Sequence, residues 1–265
     1  MGDEYAGAST MRYDSAPARR RSILELVGQA GFISVTELTR RLGVSDMTVR
    51  RDLRKLERDT KVRVVHGGVS SLQGPLHSPA FAGRAELQAD GKRVIGVAAA
   101  STVRLDQSIG VDAGTTTYAL VQALPDRYRG TVVTHSVPVM QLLLNRGIGS
   151  VVGLGGDLRA DSQAFVGPMT VEATKGLRIQ TFFLGAAAAD ERGVYVATDN
   201  ERPTKLAMMA IADRVVLLVD AEKFSAPASV LLCGWDEIDE IISDAALPAG
   251  VARHVQSNHV AIRSF

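Results

Sequence analysis

The chain has 265 residues and a formal charge of +1, from 30 basic and 29 acidic residues. Hydrophobic residues make up 46% of it, which supports a sizeable core and excludes wholesale disorder. The single cysteine excludes an internal disulfide and a cysteine-rich zinc site and fits a reducing cytosol, no apolar run approaches the roughly 18 residues of a membrane span, and at roughly 150 residues per domain the length fits one large domain or two unequal ones.

Residues 1–18 mix Gly, Ala, Ser and Asp without periodicity and read as a flexible tail. Met1 to Ser15 has no apolar stretch and carries Asp3, Glu4 and Asp14, so it is not read as a signal peptide. From Arg19 to Gly31 the residues Ile23, Leu24, Leu26 and Val27 fall at helical spacing. Ser34-Val-Thr-Glu37 has the form of a capping box, which predicts a helix from Val35 with Leu38 and Leu42 on its apolar face and Gly43 at the turn. Ser45 reads as a second N-cap, and Val49, Leu53 and Leu56 form one stripe on a third helix. Val62, Val64 and Val65 predict a strand, broken at Gly67-Gly68 and returning over Val69 to Leu72. Residues 19–72 therefore read as a winged helix-turn-helix domain. Residues 73–90, with Gly74, Pro75 and Pro79, read as a linker.

Beyond the linker, strands and helices alternate. Helices are expected over Val94–Val103, Thr115–Ala123, Pro138–Leu144 and Pro203–Ala212. Strands are expected at Ile109–Val111, Val132-Val133, Val151-Val152, Phe182–Leu184, Val215–Val219 and Ile241-Ile242. This pattern predicts an α/β domain with a mainly parallel sheet over residues 91–265.

The charge is unevenly spread. Residues 1–75 hold 13 basic and 9 acidic residues, a net +4, and the remainder carries −3. Such asymmetry fits a basic nucleic-acid module beside an acidic body, and it also fits a solvated basic face. A helix-turn-helix lays its last helix in the major groove. With Val49, Leu53 and Leu56 facing a core, Asp46, Met47, Arg50, Arg51 and Arg54 fall on or beside the opposite face. Arginine reads guanine or anchors phosphate, and Ser45 and Thr48 can bond phosphate at the helix start. Asp52 is expected to pair with a neighbouring arginine. Arg63 and His66 belong to a wing flanking the groove. The simpler alternative is a three-helix cap whose arginines are solvated.

A second motif lies at Ile109-Gly-Val-Asp112 followed by Ala113-Gly-Thr-Thr-Thr117: a strand, a small-residue turn and a helix start. Unpaired N–H groups and the positive end of the helix dipole suit an anion there. Gly114 permits close approach, and Thr115, Thr116 and Thr117 add hydroxyls; plain N-capping fits the same residues. No Gly-Lys-Ser/Thr follows, so this is not a Walker A loop. Gly153-Leu-Gly-Gly-Asp157 is not a dinucleotide fingerprint, because Leu158 stands where the last glycine belongs, and it reads as a tight turn after a strand. His77, His254 and His259 show no metal-ligand spacing. Cys233 reads as a small core residue. No catalytic triad, metal or cofactor is expected.

Ser45-Asp-Met-Thr-Val-Arg-Arg-Asp-Leu53, followed by Val65-His-Gly-Gly-Val69, resembles the DNA-binding domain of the DeoR family of bacterial transcriptional regulators. The resemblance extends over about residues 19–245 through Asp112-Ala-Gly-Thr-Thr-Thr117, Val133-Thr-His-Ser136, Leu154-Gly-Gly-Asp-Leu158, Phe165-Val-Gly-Pro168, Phe183-Leu-Gly185, Ala212 to Asp220 and Lys223-Phe224. It implies a sensor domain similar to ribose-5-phosphate isomerase and the CoA transferases that binds a phosphorylated sugar. It also implies that Asp112 contacts sugar hydroxyls, that Gly114 to Thr117 hold the phosphate, and that Lys223 is a cationic partner. Glu201 and Lys205 match the family's Glu-x-x-x-Lys, as pocket residues or as a surface i,i+4 salt bridge. Three departures stand out. Val64 replaces the wing arginine, with Arg63 one place earlier, where a strand turns its side chain to the other face. His135 replaces a common asparagine. Ala186, Ala187 and Ala188 replace a Ser-Gly pair, which narrows and dries that part of the pocket.

The function this implies is that of a cytoplasmic, homo-oligomeric transcriptional regulator with no membrane partner. It would be a repressor of carbohydrate-metabolism genes, released from double-stranded operator DNA by a sugar phosphate. One rival is an enzyme, a sugar-phosphate isomerase or transferase with an appended N-terminal module, in which Asp112, Glu201 and Lys223 do acid–base work. Another is a regulator that answers to a partner protein.

Overall fold

The computed structural model describes residues 16–30, 32–59, 62–65, 67–71 and 79–265. By its internal contacts the chain divides into two units, Met1–Gly83 and Arg84–Phe265.

In the first unit α1 (Ala16–Ala30), β1 (Phe32–Ser34), α2 (Val35–Leu42), α3 (Asp46–Arg58), β2 (Val62–Val65) and β3 (Gly68–Ser71) follow in order. Ser34 Oγ accepts from the Glu37 N–H at 3.0 Å, and Ser45 Oγ from the Thr48 N–H at 3.4 Å. Each bond satisfies one of the unpaired donors that start a helix. Gly43 ends α2 in the left-handed region at φ 65°, where a side chain would be strained. Glu37 does not complete the capping box; its carboxylate holds Arg40 and Arg41. Ile23 and Val27 of α1, Leu38 and Leu42 of α2, and the stripe Val49, Leu53 and Leu56 of α3 close one core with Val62 and Val69. The strands form an antiparallel sheet in the order β1-β3-β2. Val64 pairs with Val69 and packs against this core. Glu57 Oε1 accepts the Val64 N–H at 2.9 Å, tying the outer strand of the wing to α3.

Asp52 lies on the buried side of α3, only 3% exposed. Its partners are not on its own helix. Arg19 Nε of α1 lies 2.6 Å from Oδ2, and Arg20 lies 3.5 Å from Oδ1. Removing the carboxylate leaves the Arg19 and Arg20 guanidinium groups, only 12% and 22% exposed, without their partner. Asp52→Ala is therefore expected to lower the stability of this unit by about 3 kcal/mol, measured by denaturant unfolding. A variant as stable as the parent would remove this ion pair from the account of the fold.

The structure corrects several expected boundaries. Ala16 to Ala18, read as tail, form the first turn of α1. Within the expected linker Pro79–Glu86 forms α4, and α5 (Ala89–Ser101) begins before the apolar run that announces it. Pro79 stands at the first helical position, where its missing N–H is no loss, so it starts a helix rather than breaking one. Residues 1–15, His66 and residues 72–78, including His77, lie outside the described residues.

The second unit continues with β4 (Ile109–Val111), α6 (Thr115–Ala123), β5 (Thr131–Thr134), α7 (Val137–Arg146) and β6 (Ser150–Gly153). The hairpin β7 (Asp157–Arg159) and β8 (Ala164–Val166), α8 (Pro168–Glu172), β9 (Thr181–Gly185), β10 (Ala188–Asp190) and β11 (Gly193–Val196) follow. Then come α9 (Arg202–Ala210), β12 (Val215–Val219), β13 (Val230–Cys233), β14 (Glu240–Ser243), α10 (Ala249–Ser257) and β15 (Ala261–Ser264). Seven strands form one parallel sheet in the order β15-β14-β12-β9-β4-β5-β6. Every residue of β4, β9 and β12 is buried, as strands covered on both faces require. Gly96 lets α5 lie close on α6, since a Cβ there would stand 2.6 Å from the Ala119 carbonyl carbon.

The winding of this sheet positions the site. The chain lays down β4, moves outward through β5 and β6, then returns to place β9 on the other side of β4 and moves outward again through β12, β14 and β15. The switch point lies between β4 and β9, and in such sheets the crevice beyond the carboxyl ends of the strands is where ligands bind.

Candidate functional site

In the first unit the exposed side of α3 carries Met47, 72% exposed, with Arg50, Arg51 and Arg54 beside it. Asp46 holds Arg50 through Nε at 2.5 Å and a terminal nitrogen at 3.3 Å. Both side chains are exposed, so the pair adds little stability. It draws the guanidinium toward the helix N-terminus, the end that a helix-turn-helix offers to base edges. Among the described residues no ion pair engages Arg51 or Arg54. The Ser45 and Thr48 hydroxyls lie 3.0 Å apart at the helix start. The backbone of Arg63 pairs with Ser70 in the wing.

In the second unit the strand ends at the switch point open on a cavity of about 220 Å³. Asp112, the first residue beyond β4, is completely buried. Its Oδ2 meets Lys205 Nζ at 2.6 Å and accepts the Gly185 N–H at 2.9 Å, while Lys205 also donates to the Gly185 carbonyl at 2.9 Å. His135 Nε2 stands 3.4 Å from Oδ1. Burial alone would raise the Asp112 carboxyl, but Lys205, His135 and the Gly185 amide together hold it below the usual carboxylate range. Burial pushes His135 down to about 4, so its imidazole is neutral at physiological pH and faces Asp112 with the Nε2 edge. Lys205 is only 5% exposed and bound to Asp112, which replaces the surface-pair reading of Glu201 and Lys205.

The start of α6 forms another part of the wall. Gly114 is an extended N-cap with no side-chain bond, and the first intrahelical bond runs from the Tyr118 N–H to Gly114 O. The N–H groups of Thr115, Thr116 and Thr117 thus have no acceptor within the helix, and together with the helix dipole they favour an anion. Gly114, Thr115 and Thr116 line the cavity. Thr117 does not belong with them. Its buried hydroxyl donates to the carbonyls of Asp112 at 2.7 Å and Gly114 at 3.0 Å, bracing the turn that presents Gly114. Glu201 and Lys223 line the cavity, as do Ala186 and Ala187, while Ala188 is buried in β10.

Wall residues to which the sequence reading assigns no role include Arg84, Lys92, Ser162, Asp220 and Glu222. Lys92 left a usable signal. It shares the buried face of α5 with Ile95, Gly96 and Ala99 at helical spacing, and a lysine on such a stripe needs a reason. Its ammonium donates to the carbonyls of Arg84 and Leu87, each at 2.5 Å. Burial, opposed by the nearby Asp220 charge, pulls Lys92 down to about 8.

Fold and site together define a DNA-binding transcriptional regulator with a separate sensor domain. The model of the DeoR-like helix-turn-helix domain matches residues 19–74, and that of the DeoR C-terminal sensor domain matches residues 87–245. The chain belongs to the DeoR family. It is 35% identical over 235 residues to an uncharacterized HTH-type transcriptional regulator of Escherichia coli, covering 89% of this chain and 92% of the relative. It is 28% identical over 243 residues to the glycerol-3-phosphate regulon repressor of the same organism, covering 91% and 96%. Among solved structures, ribose 5-phosphate isomerase A of Methanocaldococcus jannaschii aligns with a TM-score of 0.38 at 18% identity, over 51% of this chain and 54% of that one. Among the described residues no helix is long and apolar enough to cross a membrane, and no cluster of His, Cys, Asp or Glu could hold a metal ion.

Proposed function

We propose that the protein is a cytoplasmic, homo-oligomeric repressor that α3 docks into the major groove of operator DNA, and that a phosphorylated sugar in the cavity of the second unit releases it. The carrying observation is the cavity itself. The unpaired N–H groups of α6 share it with the cations Arg84, Lys92 and Lys223 at the switch point of a parallel sheet. Phosphate is the group this chemistry holds best. Release needs an effector that binds one arrangement of the DNA-reading units better than another, and repeated half-sites call for more than one such unit. The glycerol-3-phosphate regulon repressor is a relative named for a phosphorylated polyol. The test pairs thermal unfolding with a gel shift on DNA that the protein selects from its own genome. Sugar phosphates are expected to stabilise the second unit and release the DNA; a series that does neither overturns the reading.

The enzyme reading has one observation on its side. Glu201 lines the cavity with its carboxyl raised by burial, which is the state of an acid–base group. Asp112 speaks against it, because its charge is fixed by Lys205. Turnover of pentose phosphates at ordinary enzymatic rates would overturn the regulator-only reading.

Lys92 gives the pocket a pH dependence. It is charged below about 8 and neutral above, so anion affinity is present below that value and falls as pH rises through it. Inorganic phosphate binding followed by calorimetry is expected to weaken between pH 7 and pH 9, and Lys92→Gln is expected to flatten the profile. An equally steep profile in the variant would assign the titration to another group.

A further inference from the structure

Three residues of the cavity wall carry a buried polar atom with no hydrogen-bond partner among the described residues: Asp112 Oδ1, beside the start of α6, and two atoms farther from it. Asp220, the first residue beyond β12, is 1% exposed, and its Oδ2 has no hydrogen-bond partner among the described residues. Ser162, between β7 and β8, is 6% exposed, and its Oγ likewise has none. Both residues line the cavity. Among the described residues no ion pair engages Asp220, although Lys92 and Lys223 share the wall. A buried acceptor left unpaired is destabilising, more so when charged, and a ligand donor relieves that cost.

Sheet order sets the distance. Asp112, Gly185 and Asp220 end or follow the adjacent strands β4, β9 and β12. Two interstrand spacings put Asp220 roughly 10 Å along the sheet edge from the turn that leads into α6. A carboxylate is an acceptor only, whereas phosphate oxygens need donors. Asp220 is thus unsuited to the phosphate and suited to a hydroxyl some distance from it.

Building on the effector reading above, we propose that Asp220 and Ser162 form a hydroxyl-recognition site. The ligand is then a polyol monophosphate that seats its phosphate at the N-terminus of α6 and donates a hydroxyl proton to Asp220 Oδ2. Ser162 Oγ bonds a further hydroxyl. The pair accounts for selection of a polyhydroxylated phosphate over phosphate alone.

The experiment compares inorganic phosphate with glycerol 3-phosphate, erythrose 4-phosphate, ribose 5-phosphate and fructose 6-phosphate by calorimetry, on wild type, Asp220→Asn and Ser162→Ala. Wild type is expected to bind at least one polyol phosphate more tightly than inorganic phosphate. Asp220→Asn is expected to lose about 10- to 100-fold in affinity for that compound. Its inorganic phosphate affinity should stay the same or rise, since a negative charge has left the wall; a damaged fold would weaken both. Ser162→Ala, which tests the site even if the first variant misfolds, is expected to lose about 3- to 10-fold for the polyol phosphate alone. The proposal is overturned if the preference over phosphate survives both substitutions, if each variant loses both ligands together, or if wild type shows no preference. Wild type that binds neither phosphate nor any polyol phosphate overturns the effector reading and this one with it.

Discussion

Lys205→Ala is expected to destabilise the second unit by about 3–5 kcal/mol, lowering its melting temperature by roughly 10 °C. The substitution leaves Asp112 completely buried with its ammonium partner gone and the Gly185 carbonyl short of a donor. His135 is a poor substitute, because burial opposes its protonation and it stands 3.4 Å from Oδ1, farther than Lys205 from Oδ2. Replacing both members by neutral groups, as in Asp112→Asn with Lys205→Met, is expected to recover much of the loss, since no uncompensated charge remains. The same pair sets an acid limit. Asp112 is held below the ordinary carboxylate range, so its contribution is full above the unfolded value near 4 and is lost as pH falls through the lowered native one. Denaturant unfolding of the two single variants and the double variant checks the prediction. Additive losses would mean that the contact contributes nothing of its own.

Arg51→Ala is expected to weaken operator binding about 10- to 100-fold, the range for one arginine lost from a base edge or phosphate. Arg51 lies on the exposed side of α3 and leaves the core stripe untouched, so unfolding of the variant should match the parent. Arg50→Ala is expected to act in the same direction, and it also frees Asp46, whose charge then faces the DNA. Salt separates the roles. An arginine on phosphate lowers the slope of log affinity against log salt by about 1 when removed, whereas one on a base relaxes sequence preference. Unchanged gel shifts in both variants would count against α3 as the reading helix.

Elements with local causes were legible in the sequence. The caps at Ser34 and Ser45, the stripe Val49, Leu53 and Leu56, and the apolar run Val215–Val219 each carry their structure within a few residues. The strands β7, β8, β10 and β11 were not legible, because runs of three or four residues fix no period and two of them carry charged residues. β15 is exposed along its whole length and shows no buried face at all. At the site, the turn Asp112–Thr116 could be read because it is contiguous. The partners could not. Lys205 lies 93 residues from Asp112, and Asp52 finds Arg19 33 residues away. The Thr117 hydroxyl differs from the expectation for a local reason, since three consecutive threonine side chains cannot all face one ligand and this one braces the turn.

The switch point also fixes when each half of the protein comes into being on the ribosome. The first unit ends at Gly83, while the cavity needs walls as late as Lys223. Synthesis at roughly 5–20 residues per second separates the two by roughly 7–28 seconds. Because β9 must insert beside β4 after β5 and β6 have been made, no earlier fragment of the sheet can hold the ligand. Each new chain therefore completes its helix-turn-helix unit first, and only later acquires the cavity proposed to hold its effector.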